Sequence, residues 1–101
     1  MNTLPIEIPE EAIAEFCRRN RVRRLSLFGS VLRDDFTPTS DVDVLAEFES
    51  GAEIGLFDLA GMEIELGVIL GRKADMNTPD FLSRYFRDEV LREAECIYVA
   101  A

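Results

Sequence analysis

The spacing of hydrophobic and polar positions changes along this chain, from the three-to-four-residue period of helices to the two-residue period of strands. Short runs rich in valine and leucine alternate with longer segments of helical spacing. The predicted helices cover residues 9–20, 56–70 and 81–95, the last with a break near residues 85–86. The predicted strands cover residues 22–28, 41–49, 73–76 and 96–99.

This order of elements predicts an α/β (α+β) fold, a small mixed sheet of three or four strands with helices packed on it. We expect a single domain over residues 1–101. Asn20 and Gly71 are typical of residues that end a helix. Thr78 followed by Pro79 is typical of a helix start.

The helix predicted over residues 56–70 needs an apolar face toward the sheet. The positions assigned to that face are Leu56, Leu59, Ala60, Ile64 and Leu70. Glu63 and Glu65 then belong to a polar side of the helix, which faces solvent or a partner.

The side-chain inventory excludes several kinds of active site. The chain has 101 residues and no histidine, and its two cysteines, Cys17 and Cys96, lie far apart in sequence. Zinc sites and Ser-His-Asp or Cys-His catalysis are therefore improbable. Both thiols are predicted to be buried structural residues. Acid–base chemistry must come from carboxylates, bound metal or the substrate.

The net charge of −9 weighs against nucleic acid as a direct partner, because phosphate backbones require a basic face. Five arginines cluster between residues 18 and 24. They form either a solvated helix end and strand edge, or a local patch that attracts a triphosphate or an acidic partner. No apolar run approaches the ~20 residues of a membrane span. The N-terminus lacks signal-peptide features, so we expect a cytoplasmic protein without a membrane partner.

A Gly-Ser pair after one strand and an Asp-x-Asp at the start of the next carry the candidate chemistry. Gly29-Ser30 follows the strand that ends at Phe28, and ten residues separate Ser30 from Asp41. Asp41 and Asp43 project from the same face, because side chains at i and i+2 of a strand do so. Two such carboxylates repel each other unless a cation neutralises them, and Mg²⁺ prefers oxygen ligands. Free N–H groups and the hydroxyl of Gly29-Ser30 suit phosphate oxygens. The two halves together predict a nucleoside triphosphate site.

Other polar residues near this motif have more than one interpretation. Arg33 either forms an ion pair that fixes the loop, with Asp41 as a partner, or contacts a phosphate. Ser40 either caps the strand entry or hydrogen-bonds a ligating carboxylate. The run Asp34-Asp35 lies in a loop and is expected to be solvated.

Gly29-Ser30, Arg33 and Ser40-Asp41-x-Asp43 resemble the signature of the DNA polymerase β-type nucleotidyltransferase superfamily. The spacing resembles that of its smallest branch, the minimal nucleotidyltransferases (MNT), which are antitoxins encoded beside HEPN-domain ribonuclease toxins. The resemblance extends from about Ile6 to Val99.

The resemblance implies a function and a set of site residues. ATP is the donor, two Mg²⁺ ions are the cofactors, and a tyrosine hydroxyl of a HEPN toxin is the acceptor of AMP. A third acid on the strand after the long helix completes the site, and Asp75 is at that position. The implied catalytic and metal-binding residues are Asp41, Asp43 and Asp75, and the implied nucleotide-binding residues are Gly29, Ser30, Arg33 and Ser40.

Two other functions stay open at this point. The protein could neutralise a partner by contact alone, or adenylylate a small molecule. Larger superfamily members add a helical domain that holds the base and the acceptor, and this chain has no equivalent after about residue 99. A toxin partner or a second copy in a homo- or hetero-oligomer is therefore expected to complete the site, or base selectivity will be poor.

Overall fold

The computed structural model describes residues 4–101, which form four strands, three α-helices and two short 3₁₀ turns. In chain order the regular elements are α1 (Glu10–Arg19), β1 (Val22–Phe28), β2 (Val42–Phe48), α2 (Leu56–Leu70), β3 (Ala74–Asn77), α3 (Arg87–Glu93) and β4 (Glu95–Val99). The 3₁₀ turns are Gly29–Leu32 and Pro79–Phe81.

The four strands form one mixed sheet in the order β3-β2-β1-β4, which confirms the predicted fold class. β1 is antiparallel to β2 and to β4, whereas β2 and β3 are parallel. Parallel neighbours need a crossover connection, and α2 supplies it. The crossover places the start of β3 beside the start of β2, with Val42 opposite Ala74.

The hydrophobic core lies on one face of the sheet, against α1 and α2. Alternation along β2 sends Val42, Val44 and Ala46 into this core, so that Asp43 and Leu45 project from the opposite face. Each of the two helices also has a fixed C-terminal end. Asn20 ends α1 by donating its side-chain amide to the carbonyl of Phe16 at 2.8 Å.

Gly71 ends α2 in the left-handed conformation, with φ of 74°, as its position in the sequence predicts. The predicted apolar face of this helix is partly wrong. Leu59 and Leu70 are buried, but the other buried positions are Met62 and Leu66. The remaining residues assigned to the core, Leu56, Ala60 and Ile64, are exposed. The helix is apolar around most of its circumference, so spacing alone did not select the buried side.

The two glutamates of α2 bind within the chain. Glu63 accepts the backbone N–H of Met76 at 2.7 Å and so covers part of the outer edge of β3. Glu65 forms an ion pair with Arg19 at the end of α1. The expectation that these glutamates face solvent or a partner did not include these contacts within the chain.

The C-terminal helix is shorter than predicted. Only Arg87–Glu93 is helical, and residues 82–86 form a turn. Ser83 explains the change, because its hydroxyl accepts the backbone N–H of Tyr85 at 3.3 Å, and such local bonds compete with helix formation. Thr78 makes no side-chain cap. Cys17 is buried as predicted, but Cys96 is exposed on the edge strand β4.

Among residues 4–101, no helix is long and apolar enough to cross a membrane.

Candidate active site

The predicted acidic residues meet on the face of the sheet that α1 and α2 leave open. Asp43 on β2 is the direct partner of Asp75 on β3, and neighbouring strands lie about 4.8 Å apart. Side chains at paired positions project to the same side of a sheet. Asp41 lies two residues before Asp43, just ahead of β2. The sheet register therefore brings together carboxylates that are 32 residues apart in sequence.

Gly29 lies directly against this acidic group. Its backbone has φ of +76°, and a Cβ atom at this position would overlap the carboxylate of Asp43. Glycine is therefore required for two reasons, a left-handed conformation and the close approach of Asp43. The pairing of Phe28 with Asp43 across β1 and β2 creates this contact. The Gly-Ser and Asp-x-Asp motifs thus form one continuous surface.

The electrostatics of Asp43 reflect its crowded position. Burial is the largest effect and raises the pKa of this carboxyl above its ordinary value, and the negative charges of Asp75 and Asp41 raise it further. The positive charge of Arg33 lowers the pKa in part. Ionisation of Asp43 is therefore more costly in the protein alone than in a free carboxyl, and a bound cation would relieve that cost.

Asp41 has a different partner from the one considered for it. Its carboxylate lies 3.8 Å from the ammonium group of Lys73, and both side chains are exposed. Arg33 instead contributes its charge to Asp43. An exposed ion pair of this length contributes little to stability, so Asp41 is free to exchange Lys73 for another cation.

The chemistry of the three carboxylates fits a Mg²⁺ site, since they supply only oxygen ligands from two adjacent strands. The side chains are not already arranged as a cation cage: residues 4–101 contain no group of three acidic, histidine or cysteine side chains in such an arrangement. A cation shared by the three carboxylates would require the side chain of Asp41 to turn away from Lys73. Asp34 and Asp35 are exposed in the preceding loop, as predicted.

Ser40 uses its hydroxyl within the loop before β2. Its Oγ accepts the backbone N–H of Thr37 at 3.0 Å and lies 3.0 Å from the hydroxyl of Thr37. The bond closes a turn directly before Asp41. None of the hydrogen bonds found for Ser40 involves a carboxylate.

Arg72 is a site residue that the sequence did not predict. Its guanidinium donates to the carbonyls of Thr37 and Ser40, at 3.2 and 3.4 Å. The same group lies 4.7 Å from the centre of the Phe36 ring. Arg72 therefore holds the loop that leads into Asp41. No local sequence signal could have identified it, because its partners are more than 30 residues away.

A cleft of about 540 Å³ opens beside Asp43. It is lined on one side by residues of the Gly-Ser turn and on the other by residues 82–93, which include Leu82, Phe86 and Glu89. The second wall was missed because residues 81–95 were predicted to be mostly helical. A larger neighbouring cleft of about 730 Å³ shares Gly29 and Arg33 but contacts none of the three aspartates.

The arginine cluster lies away from this site. Arg21 precedes β1 and Arg23 and Arg24 are at its start, whereas Gly29 follows its end. A strand of seven residues spans about 23 Å. Arg23 pairs with Glu47 at 3.4 Å. This placement favours the interpretation of the cluster as a solvated surface over one that attracts a triphosphate.

The family model for the nucleotidyltransferase domain matches residues 10–97. The chain belongs to this family. A protein of Methanocaldococcus jannaschii whose name is "putative protein adenylyltransferase" is 37% identical over 76 residues, which are 75% of this chain and 80% of that protein. A second protein of that organism with the same description is 28% identical and covers 92% of each chain.

Solved structures show the same nucleotidyltransferase fold. A structure described as a putative minimal nucleotidyltransferase is 36% identical and has a TM-score of 0.69. The match covers 84% of this chain and 85% of the matched chain. A toxin–antitoxin crystal structure with AMP-PNP has a TM-score of 0.73 at 17% identity, covering 91% of this chain and 74% of its own. A structure of a tri-AMPylated Shewanella oneidensis HEPN toxin in complex with MNT antitoxin has a TM-score of 0.65 at 17% identity. The match covers 90% of this chain and 70% of the matched chain. The family suggested by the sequence motif is thereby confirmed.

Proposed function

We propose that this protein is a metal-dependent protein adenylyltransferase that transfers AMP from ATP to a tyrosine hydroxyl of a HEPN-domain toxin and thereby acts as its cytoplasmic antitoxin. The pairing of Asp43 with Asp75 beside Gly29 is the observation that carries this proposal. The names of the Methanocaldococcus relatives support adenylyl transfer to protein. The toxin–antitoxin structures of the same fold support the kind of partner.

In this proposal the triphosphate lies along the Gly-Ser turn. The backbone of Gly29 and the hydroxyl of Ser30 bind the β- and γ-phosphates, and Arg33 adds a positive charge on the same wall of the cleft. Asp41, Asp43 and Asp75 would hold the metal. Ser40 supports the nucleotide site indirectly, by closing the turn that precedes Asp41.

The reaction is an in-line substitution at the α-phosphorus of ATP. The acceptor hydroxyl oxygen forms a bond to that phosphorus, the bond to the oxygen that bridges the α- and β-phosphates breaks, and diphosphate leaves. Asp75 accepts the hydroxyl proton. Two Mg²⁺ ions at the three aspartates would supply neutralisation of phosphate charge and acidify the hydroxyl. The protein contributes chiefly position and charge.

The acceptor approaches from the β3 side of the site. The Gly-Ser turn follows β1, and β3 is the outer strand on the far side of β2. With phosphates at the β1 side, the open edge near Asp75 is where an incoming hydroxyl has access. A partner protein, or another copy of this chain in an oligomer, supplies the remaining contacts to the acceptor.

Intact mass spectrometry of the protein with its HEPN partner, ATP and Mg²⁺ tests the proposal. The partner should gain the mass of one AMP group per modified hydroxyl and lose ribonuclease activity. Asp43→Asn should abolish both effects, while Asp80→Asn, which changes an exposed aspartate of the 3₁₀ turn outside the acidic group, should retain them. Unmodified partner after incubation with folded wild-type protein, ATP and Mg²⁺ would refute transfer.

One observation favours neutralisation by contact as a second candidate. The outer side of α2 exposes Leu56, Phe57, Ile64 and Val68 by 72% or more, and clustered exposed apolar side chains mark interaction surfaces. In this case Asp43→Asn would silence the HEPN partner as well as the wild type does, with no change in the partner's mass. The same experiment therefore separates the two candidates.

A further inference from the structure

The cleft beside Asp43 has two walls of different chemistry. One wall comes from the end of β1 and the Gly-Ser turn and includes Ser30 and Arg33. The other comes from residues 82–93, and its apolar members are Leu82, Phe86 and Val90. The volume of about 540 Å³ falls within the range of small-ligand sites, roughly 300–1,000 Å³.

The turn that carries Phe86 is fixed by hydrogen bonds. The carbonyl of Ser83 accepts the backbone N–H groups of Phe86 and Arg87, each at 3.0 Å. The guanidinium of Arg87 returns to the carbonyl of Leu82 at 3.1 Å. The Phe86 side chain is nevertheless 60% exposed. An aromatic ring is thus held at a defined place in the cleft without being part of the core.

Charge on the second wall determines what can lie against Phe86. Glu89 and Glu93 line the same side of the cleft, and their carboxylates repel phosphate groups. Arg33 on the opposite wall attracts phosphates. A nucleoside triphosphate in this cleft is therefore oriented with its phosphates toward the Gly-Ser turn. Its uncharged base is left to lie along residues 82–93.

We propose that the ring of Phe86, flanked by Leu82 and Val90, is the platform on which the nucleotide base stacks. The inference rests on the proposed function and adds the residue that holds the base. It also adds a contact from this chain to a site that a partner or a second copy was expected to complete. Stacking uses the face of a base and not its hydrogen-bonding edge, so ATP and GTP should bind alike, and CTP and UTP more weakly.

Calorimetry with two probes tests the platform, with ATP and inorganic tripolyphosphate titrated separately in the presence of Mg²⁺. Wild-type protein should bind ATP more tightly than tripolyphosphate. Phe86→Ala should weaken ATP binding about tenfold, the loss expected for one base–aromatic stack, and change tripolyphosphate binding less than about twofold. Phe86→Tyr should retain ATP binding, since it keeps an aromatic ring.

Tyr85→Ala is the matched control. Tyr85 is the adjacent aromatic residue and is 79% exposed, but its ring lies 5.3 Å from the guanidinium of Arg84 and does not line the cleft. This variant should bind ATP as the wild type does. Thermal unfolding of each variant checks that the fold is intact, which exposure of both side chains predicts.

The outcomes separate the inference from the function on which it rests. Unchanged ATP binding by Phe86→Ala, an equal loss for ATP and tripolyphosphate, or an equal loss in Tyr85→Ala would overturn the platform and leave the nucleotide site standing. Equal affinity of the wild type for ATP and tripolyphosphate would also overturn the platform and leave the nucleotide site standing. Wild-type protein that binds neither probe would overturn the nucleotide site and the platform together.

Discussion

The carboxylate of Asp43 occupies the space that a side chain at Gly29 would need. This contact joins the strand that supplies the acidic residues to the turn that is proposed to hold the phosphates. Position 29 also has a left-handed backbone, with φ of +76°. Any substitution of Gly29 should therefore destabilise the protein in two independent ways, by backbone strain and by steric overlap with Asp43.

Gly29→Ala should lower the free energy of unfolding and abolish transfer of AMP, because the new methyl group displaces Asp43. Gly51→Ala is the control, since Gly51 has φ of +85° and nothing within 4 Å of an added Cβ atom. It should lose about 1–2 kcal/mol from backbone strain alone and retain transfer. Urea unfolding and a transfer assay measure both quantities. If Gly29→Ala lost no more stability than Gly51→Ala and kept full transfer activity, displacement of Asp43 would have no consequence and this prediction would be wrong.

Asp43→Asn should stabilise the protein at neutral pH in the absence of metal. The pKa of Asp43 lies above its ordinary value of 3.8, chiefly through burial, so the folded protein binds this proton more tightly than the unfolded chain does. Stability therefore falls as the pH rises from about 3.8 through the folded-state pKa. The amide removes a cost of less than about 1 kcal/mol, since water screens a half-buried carboxylate.

Unfolding midpoints of Asp43→Asn and wild type between pH 7 and pH 4 measure this effect. The gain should be largest at pH 7 and shrink toward pH 4. Asp41→Asn is the comparison, because Asp41 is exposed and faces Lys73 at 3.8 Å, and no gain is expected there. A gain in Asp43→Asn that stays constant across the pH range would contradict the electrostatic explanation.

The parts of the fold that depend on local signals were predictable from the sequence. The helix ends at Asn20 and Gly71 and the bounds of β1 follow from residue preferences and spacing within a few residues. The Gly-Ser turn and the start of β2 were also predictable, because the residues that identify each motif are neighbours in the sequence. Asp75 could be predicted as the third acid from its position after the long helix, but only the register of β3 shows that it lies opposite Asp43.

Features that depend on distant contacts were not predictable in the same way. The buried side of α2 is selected by the sheet beneath it, and Ile64 and Met62 are equally apolar in the sequence. Arg72 acquires its role only when the start of β3 lies beside the loop before β2. Phe86 enters the cleft because Ser83 interrupts a segment that otherwise favours a helix.

Asp75→Asn should abolish AMP transfer while ATP binding persists. Asp75 is exposed at the outer strand, so loss of its charge should leave the fold intact, and the phosphate contacts at the Gly-Ser turn do not involve it. Calorimetry with ATP and Mg²⁺ and a mass-based transfer assay measure the two effects separately. Transfer at the wild-type rate would assign the third acid elsewhere, with Asp34 and Asp35 as the next residues to replace.

Arg72→Lys should lower kcat for transfer while the KM for ATP changes little. Nη1 of Arg72 donates to both the Thr37 and Ser40 carbonyls, and the planar guanidinium also lies over the Phe36 ring. Lysine keeps the positive charge but lacks this planar group, so it cannot make the same set of contacts. The loop before Asp41 then loses its anchor, and misplacement of a reacting group by about 1 Å can cost roughly a hundredfold in rate. Because Arg72 contacts the loop and not the substrate, the loss should appear in kcat and not in the KM for ATP. We expect kcat to fall by about ten- to a hundredfold. Arg23→Lys is the matched control, since Arg23 pairs with Glu47 away from the loop before Asp41, and it should behave as the wild type. A rise in the KM for ATP with unchanged kcat would mean that Arg72 binds the nucleotide directly and does not act through the loop.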